Sequence, residues 1–433
     1  MKSLIITLCL TAISLTSSAQ VARQQIRENI NLAGSNYLAY PGPKHQLTAA
    51  PKGYEPYYIS HYGRHGSRYL IGRTDYDVPF MALSRADSLG KLTPTGREVL
   101  RKVALIREES MGRDGELTLL GAQQHRQIAR RMYERFPEVF SGAAHIDAKS
   151  TIVIRCILSM ENELLELSCI NPKLKIVHDA SHHDMYYMND EHSPYLEVRK
   201  TDEAREALKK FNDRHTDYSH LMGVLFNDAD YVKQVSVKPL GYSLLRLASN
   251  VQSTELRHQF SLWDIFTEQE VYDYWQCTNA YWFTYYGPSP LAKEAGPYVQ
   301  MNLLHNIIAT ADTCLRLPHP GATMRFAHES DVMPLVCLLN LNHYGEPISD
   351  LEQLDDKGWN NYEIYPMGCN VQFIFYKPVT GKLEGADILV KVLLNEDEAT
   401  LPIKTDCAPY YHWKDVREYY LNKMAARVEQ DKN

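Results

Sequence analysis

The chain has 433 residues, 44% of them hydrophobic and 23% charged, with a formal net charge of −7. That apolar content over this length can bury a large core and carry more than one domain. The negative balance gives nucleic acid no footing, so an anionic small molecule would have to be drawn in by a local basic pocket.

Residues 1–19 read as a secretory signal: Lys2 supplies the positive start, 4–15 the apolar core, and Ser17-Ser18-Ala19 a small-residue cleavage site before Gln20. The expectation is export to the periplasm or medium after cleavage near Ala19. A membrane anchor is not expected, since the run is too short to span a bilayer and no later stretch approaches the roughly 20 apolar residues required. Cleavage removes one lysine and no acid, moving the net charge from −7 to −8. It also leaves seven of the eight cysteines. An odd count in an oxidising compartment leaves at least one thiol unpaired, and their wide spacing matches no zinc motif.

Residues 24–33 read as a short helix, broken by Tyr40-Pro41-Gly42-Pro43. Next comes Tyr57-Tyr58-Ile59-Ser60-His61-Tyr62-Gly63-Arg64-His65-Gly66-Ser67-Arg68-Tyr69, a strand-like run entering a tight loop where two arginines and a histidine crowd a glycine. The paired forks of Arg64 and Arg68 match phosphate oxygens, and their charge is expected to depress the pKa of His65 and keep it neutral and nucleophilic. A solvated basic turn is the bland alternative. His61 and Arg73 are further candidate substrate contacts, with a surface turn as the plainer reading of Arg73.

Thr93-Pro94 starts a helix to about Glu109, and a second begins near Thr118. On the latter, Ile128, Met132 and Phe136 share a face, while Arg126, Arg130, Arg131 and Arg135 form a stripe read by default as solvated. Thr151–Ile154 is predicted as a strand delivering Arg155, followed by a helix over 159–167, and 174–177 as another core strand. His178, His182, His183, Asp184 and His192 tempt a metal reading, but the spacing fits no metal motif and loop chemistry explains them more simply. No metal or cofactor is expected.

Residues 195–315 turn helical, charged and aromatic, and read as an inserted cap domain. Thr201 caps one helix there, and Thr267 with Glu270 forms a capping box before another. Trp275, Trp282, Tyr285 and Tyr286 read first as packing. Thr323–Ala327 returns the chain to the sheet, and His328-Glu329-Ser330-Asp331 opens an apolar helix whose start aims amides at an anion, with Ser330 or Asp331 as the cap. Strands at 371–376 and 388–394, read as antiparallel additions, and a helix over 413–426 close the chain.

Arg64-His65-Gly66-Ser67-Arg68, then Arg155, then His328-Glu329 occur in the order that resembles the histidine acid phosphatases, the second branch of the histidine phosphatase superfamily. Within that family the pattern looks most like the multiple inositol-polyphosphate phosphatases. The resemblance implies an α/β fold with a mainly parallel sheet flanked by helices, the core formed by 20–194 and 316–433 and the helical cap by 195–315. It also implies hydrolysis of a phosphate ester such as phytate, with His65 as nucleophile, Arg64, Arg68, Arg155 and His328 holding the phosphate and supplying positive charge, and Glu329 as proton donor. Asp331 stays open as the alternative donor. A monomer is expected. Two departures stand out. Leu70 replaces the family's usual proline. The late motif is His-Glu-Ser, with the carboxylate of the His-Ala-Glu pattern at the spacing of the His-Asp pattern, which bears on reach toward the leaving group. A general acid phosphatase or sugar-phosphatase, and a phosphate-binding protein without turnover, are the rival readings; a mutase is remote.

Overall fold

The computed structural model describes residues 21–380 and 387–432, so the expected signal at 1–19 lies outside the described residues. Its spine is a sheet in the order β3-β2-β4-β1-β5-β6-β7, with β8 pairing β6. The strands are β1 Tyr54–Arg64, β2 His145–Ser150, β3 Lys175–Asp179, β4 Gly321–Ala327, β5 Asn370–Pro378, β6 Leu389–Leu394, β7 Asp397–Glu398 and β8 Tyr411–His412. The first four are parallel and the last four antiparallel. The mainly parallel sheet expected from sequence is thus a parallel half joined at β1 to the antiparallel additions.

Register explains where the site lies. Arg64 of β1 aligns with Ala327 of β4, and Phe326 of β4 with Ser150 of β2. Three chain segments therefore leave adjacent parallel strands at one edge, the carboxyl edge where α/β sheets bind ligands. Two strand expectations need correction. Residues 151–153 form a bend rather than a strand, so Arg155 sits in the first turn of the Ile154–Ile170 helix. The predicted core strand at 174–177 is β3, an edge strand whose residues are mostly exposed.

Helix starts follow the local chemistry. Thr93, Thr118 and Thr201 each accept a hydrogen bond from a first-turn amide, and Thr267 and Glu270 form the capping box. The segment read as one helix at 24–33 is instead the Val21–Glu28 helix and a 3-10 stretch Ile30–Tyr37, divided where the Asn29 side chain accepts from the Asn31 amide. The helices of 195–315 pack extensively against the rest of the chain. Leu221, Leu244 and Trp275 pack with Ala33, Leu83 and Val103 from the N-terminal third, and Leu303 and Ile307 pack with Val332 beside the sheet.

On one face of the sheet the Leu119–Arg135 and Ile154–Ile170 helices lie side by side. Ile128, Met132 and Phe136 face inward against Ile59 and Met324, as their spacing predicts. The arginine stripe is not simply solvated: Arg126 binds Asn162, Arg130 pairs with Glu166, and Arg131 clamps the Glu396 carboxylate. Between the helices, the buried His125 Nδ1 meets the buried Glu163 carboxylate at 2.7 Å.

This helix pair carries the catalytic-type loop on a glycine–glycine contact. A Cβ on Gly66 would lie 2.5 Å from the Gly121 carbonyl oxygen, and one on Gly121 would lie 2.2 Å from that of Ser67. Both obstacles are backbone, so no side-chain rotation relieves them. Gly121→Ala is expected to cost about 1–3 kcal/mol through overpacking and to displace the loop; a lower thermal midpoint together with lost turnover checks this, and an unaltered midpoint would refute it.

Candidate active site

The loop backbone is anchored from several sides. Arg64 N–H donates to the Cys369 carbonyl (2.8 Å), His65 N–H to Ala327 (3.0 Å), and the His65 carbonyl accepts from Gly368 (2.9 Å). Gly66 N–H donates to Ser159 Oγ and Ser67 N–H to Gln124 Oε1, one anchor from each helix beneath. Leu70 N–H donates to Tyr76 Oη at 2.8 Å. A proline at that position has no such donor, so here the stiffness the ring would give comes from a tyrosine.

The imidazole of His65 is fully buried, and its Nδ1 lies 2.9 Å from the Gly66 carbonyl. A carbonyl only accepts, so the proton resides on Nδ1 and the Nε2 lone pair is free. Nε2 points at Glu329 Oε2, 3.6 Å away. The His65 pKa lies well below that of an ordinary imidazole, chiefly through burial, with Arg64 and Arg155 adding to the effect. The arginine effect read from sequence is real but secondary.

Arg64, Arg68, Arg155 and His328 gather round this ring. Arg64 Nη1 donates to the Tyr365 carbonyl and its Nε lies 3.0 Å from Glu329 Oε2. Arg68 Nη1 donates to the Tyr69 carbonyl, its guanidinium lies over the Tyr37 ring, and Nη2 is 3.8 Å from Glu329 Oε1. Arg155 Nη2 lies 3.4 Å from His328 Nδ1, and Thr151 Oγ1 3.3 Å from Nε2. Burial, then Arg155, push the His328 pKa down to about 3. In this arrangement His328 is neutral at neutral pH, and the fixed positive charges around it are those of the arginines.

Glu329 occupies the focus of these groups. Burial opposes its ionisation, but Arg64, the His65 contact and Arg68 prevail and hold its carboxyl well below the usual range. Asn36 Nδ2 donates to Oε1 at 3.1 Å. Asp331 is engaged elsewhere: it is fully buried, accepts from the His328 amide and from Gln300, and closes the helix start. The helix cap is thus His328 with Asp331 as its partner, not Ser330 or Asp331 as read from sequence.

The two remaining candidates lie apart from this cluster. The His61 ring is buried, filling the space a Gly63 side chain would take, with Nε2 3.9 Å from Glu163. Arg73 spends its fork on Ser110, Asp114 and Asp77. Nor do the loop histidines converge: His178 pairs with Glu161, and Asp184 with Lys149 and His183. All seven cysteines among the described residues are free thiols. Asn36, Tyr37, Gln124, Ser159 and Tyr365 escaped the sequence reading, because none carries a local motif and each reaches the loop only through tertiary contact. Asn36 and Tyr37 also border a cavity of about 550 Å³ beneath the Glu268–Tyr286 helix.

Residues 208–395 match the family model of the histidine phosphatase superfamily, branch 2, a segment that contains His328-Glu329. Over that segment, which is less than half of its length, the chain is similar to that branch. In overall structure it resembles the multiple inositol polyphosphate phosphatase of Bifidobacterium longum, solved in complex with inositol hexasulfate, with a TM-score of 0.73, 19% identity, and 90% of this chain and 97% of the other covered. It also resembles the phytase from D. castellii (TM-score 0.61, 14% identity, 92% and 85% covered) and Hafnia alvei phytase (0.52, 13%, 86% and 98%). No curated protein matches the chain in sequence.

Glu329 sits where a bound dianion would contact Arg64 and Arg68. An anion entering there removes its cationic partners and adds like charge, so its pKa must rise. Sulfate, which does not itself titrate near neutrality, is expected to bind with net proton uptake between pH 5 and 7, and Glu329→Gln to abolish that uptake; calorimetry in buffers of differing ionisation enthalpy reads both.

Proposed function

We propose that the protein is an exported phosphomonoesterase acting on inositol polyphosphates such as phytate through a covalent phosphohistidine. The observation that carries the catalytic reading is the pinned tautomer of His65, whose unprotonated Nε2 faces a focus of three arginines. Nε2 attacks phosphorus, a P–N bond forms and the P–O ester bond breaks, while Arg64, Arg68 and Arg155 balance the charge on the nonbridging oxygens. Glu329, protonated once substrate displaces it from Arg64, gives its proton to the departing alkoxide. Water then attacks phosphorus, Glu329 takes the water proton, the P–N bond breaks and phosphate leaves. No step calls on a metal.

Support for an inositol phosphate comes from the overall likeness to structures named as inositol-polyphosphate phosphatase and phytases. Support for export comes from the N-terminal sequence pattern; no helix among the described residues is long and apolar enough to cross a membrane.

Inorganic phosphate release from phytate, glucose 1-phosphate and p-nitrophenyl phosphate, with chelator present, tests the reading. Phytate turnover lost in His65→Ala, with the thermal midpoint retained, supports it. Activity on small esters alone makes the protein a general phosphatase, and phosphate binding without release makes it a binding protein. Glu329→Gln is expected to slow alkyl phosphates about 10²–10⁴-fold and p-nitrophenyl phosphate far less, because nitrophenolate leaves without a proton. Equal losses on both would remove Glu329 as the donor.

A further inference from the structure

The cavity beside the catalytic floor has a charge pattern that bears on how many phosphates a substrate carries, an inference that rests on the phosphomonoesterase reading above. It joins the floor through Asn36, which donates to Glu329, and Tyr37, which lies under the Arg68 guanidinium. Among its lining residues the fixed cations are Lys238 and Arg246, and the acids are Asp213, Asp217, Glu270 and Asp273. The lining side chains alone sum to minus two, and with Lys209, which pairs with Asp213 at 2.8 Å from outside the lining, the formal charge is minus one before any substrate enters.

Neither cation is uncommitted. Lys238 Nζ lies 3.5 Å from Asp213, while Arg246 lies 3.2 Å from Asp75 and donates to Tyr37 Oη at 2.5 Å. Two of the acids are favoured in their charged form. Asp213 has its pKa lowered by its hydrogen bond to Lys209, and Asp217 by accepting from the Ser219 hydroxyl and amide. The rest of the wall is aromatic, with Tyr242, Tyr274, Tyr281 and Trp282 offering ring faces. Aromatic faces cover the C–H side of a ring polyol, and carboxylates accept hydrogen bonds from its hydroxyls. A phosphate in place of such a hydroxyl brings two negative charges against that carboxylate and no donor.

We infer that this cleft selects ring-polyol esters carrying one or two phosphates over the fully phosphorylated ring. The catalytic floor neutralises a single phosphate with Arg64, Arg68 and Arg155; the cleft receives a hydroxylated body rather than a polyanion. Phytate is then a slow substrate and its partly dephosphorylated descendants the fast ones.

The test is the order of kcat/KM for inositol monophosphate, bisphosphate, tetrakisphosphate and hexakisphosphate, with p-nitrophenyl phosphate as reference, in wild type and in Asp213→Asn/Asp217→Asn. The expected wild-type result favours the mono- and bisphosphates over the hexakisphosphate at least tenfold. In the double variant the ratio of hexakisphosphate to monophosphate kcat/KM should rise about three- to tenfold, and added salt should raise the same ratio in wild type, because screening relieves repulsion. A wild-type preference for the hexakisphosphate, or a ratio unmoved by both the variant and salt, overturns the inference while leaving the hydrolase reading intact. Failure to hydrolyse every ester, p-nitrophenyl phosphate included, overturns the hydrolase reading instead. The dissociation constants of the same esters then decide the inference: tighter binding of the monophosphate upholds it, and tighter binding of the hexakisphosphate refutes it.

Discussion

Two buried guanidinium groups require an anion. Arg64 is wholly buried and Arg68 nearly so, and a charge removed from water is sustained only by a partner. Here that partner is the Glu329 carboxylate. Much of the surrounding structure serves this balance. The Tyr365 and Tyr69 carbonyls each take one further donor, and the Tyr37 ring backs the Arg68 fork. In the reaction proposed above, an entering phosphate takes over the carboxylate's role, and binding and proton management become one event, since the same displacement frees the acid and returns its pKa toward the range in which it can donate.

The proposed nucleophile depends on a different economy, one of backbone donors and acceptors. Pinning the Nδ1 proton on the Gly66 carbonyl leaves His65 one reactive nitrogen, and that carbonyl is held by a loop with almost no room to shift. The Gly66–Gly121 approach, the Ser159 and Gln124 anchors and the Leu70–Tyr76 bond together do what a more rigid loop sequence would do alone. Beneath them the buried contact of His125 with Glu163, beside His61, ties the two supporting helices to each other. His61 thus belongs to the scaffold under the site rather than to the surface that meets substrate.

The loop Arg64-His65-Gly66-Ser67-Arg68, the late His328-Glu329 pair and the helix caps at Thr93, Thr118, Thr201 and Thr267 were legible in the sequence, because each is a matter of a few neighbouring residues. So was the apolar face of the Leu119–Arg135 helix, which periodicity alone defines. The neutral state of His328, the ionised state of Glu329 and the relegation of Asp331 to a cap were not legible. The first two depend on burial and on charges brought in from residues tens to hundreds of positions away, and the third on burial and on Gln300 from another element. Arg155 shows the boundary between the two: its proposed role rests on its order in the motif, but its place in a helix's first turn was decided by where β2 ends against β4. Sequence determines what local chemistry a segment can offer; only the tertiary structure decides which offers meet, because desolvation and distance, which set pKa and charge balance, are properties of the packed chain and not of its order.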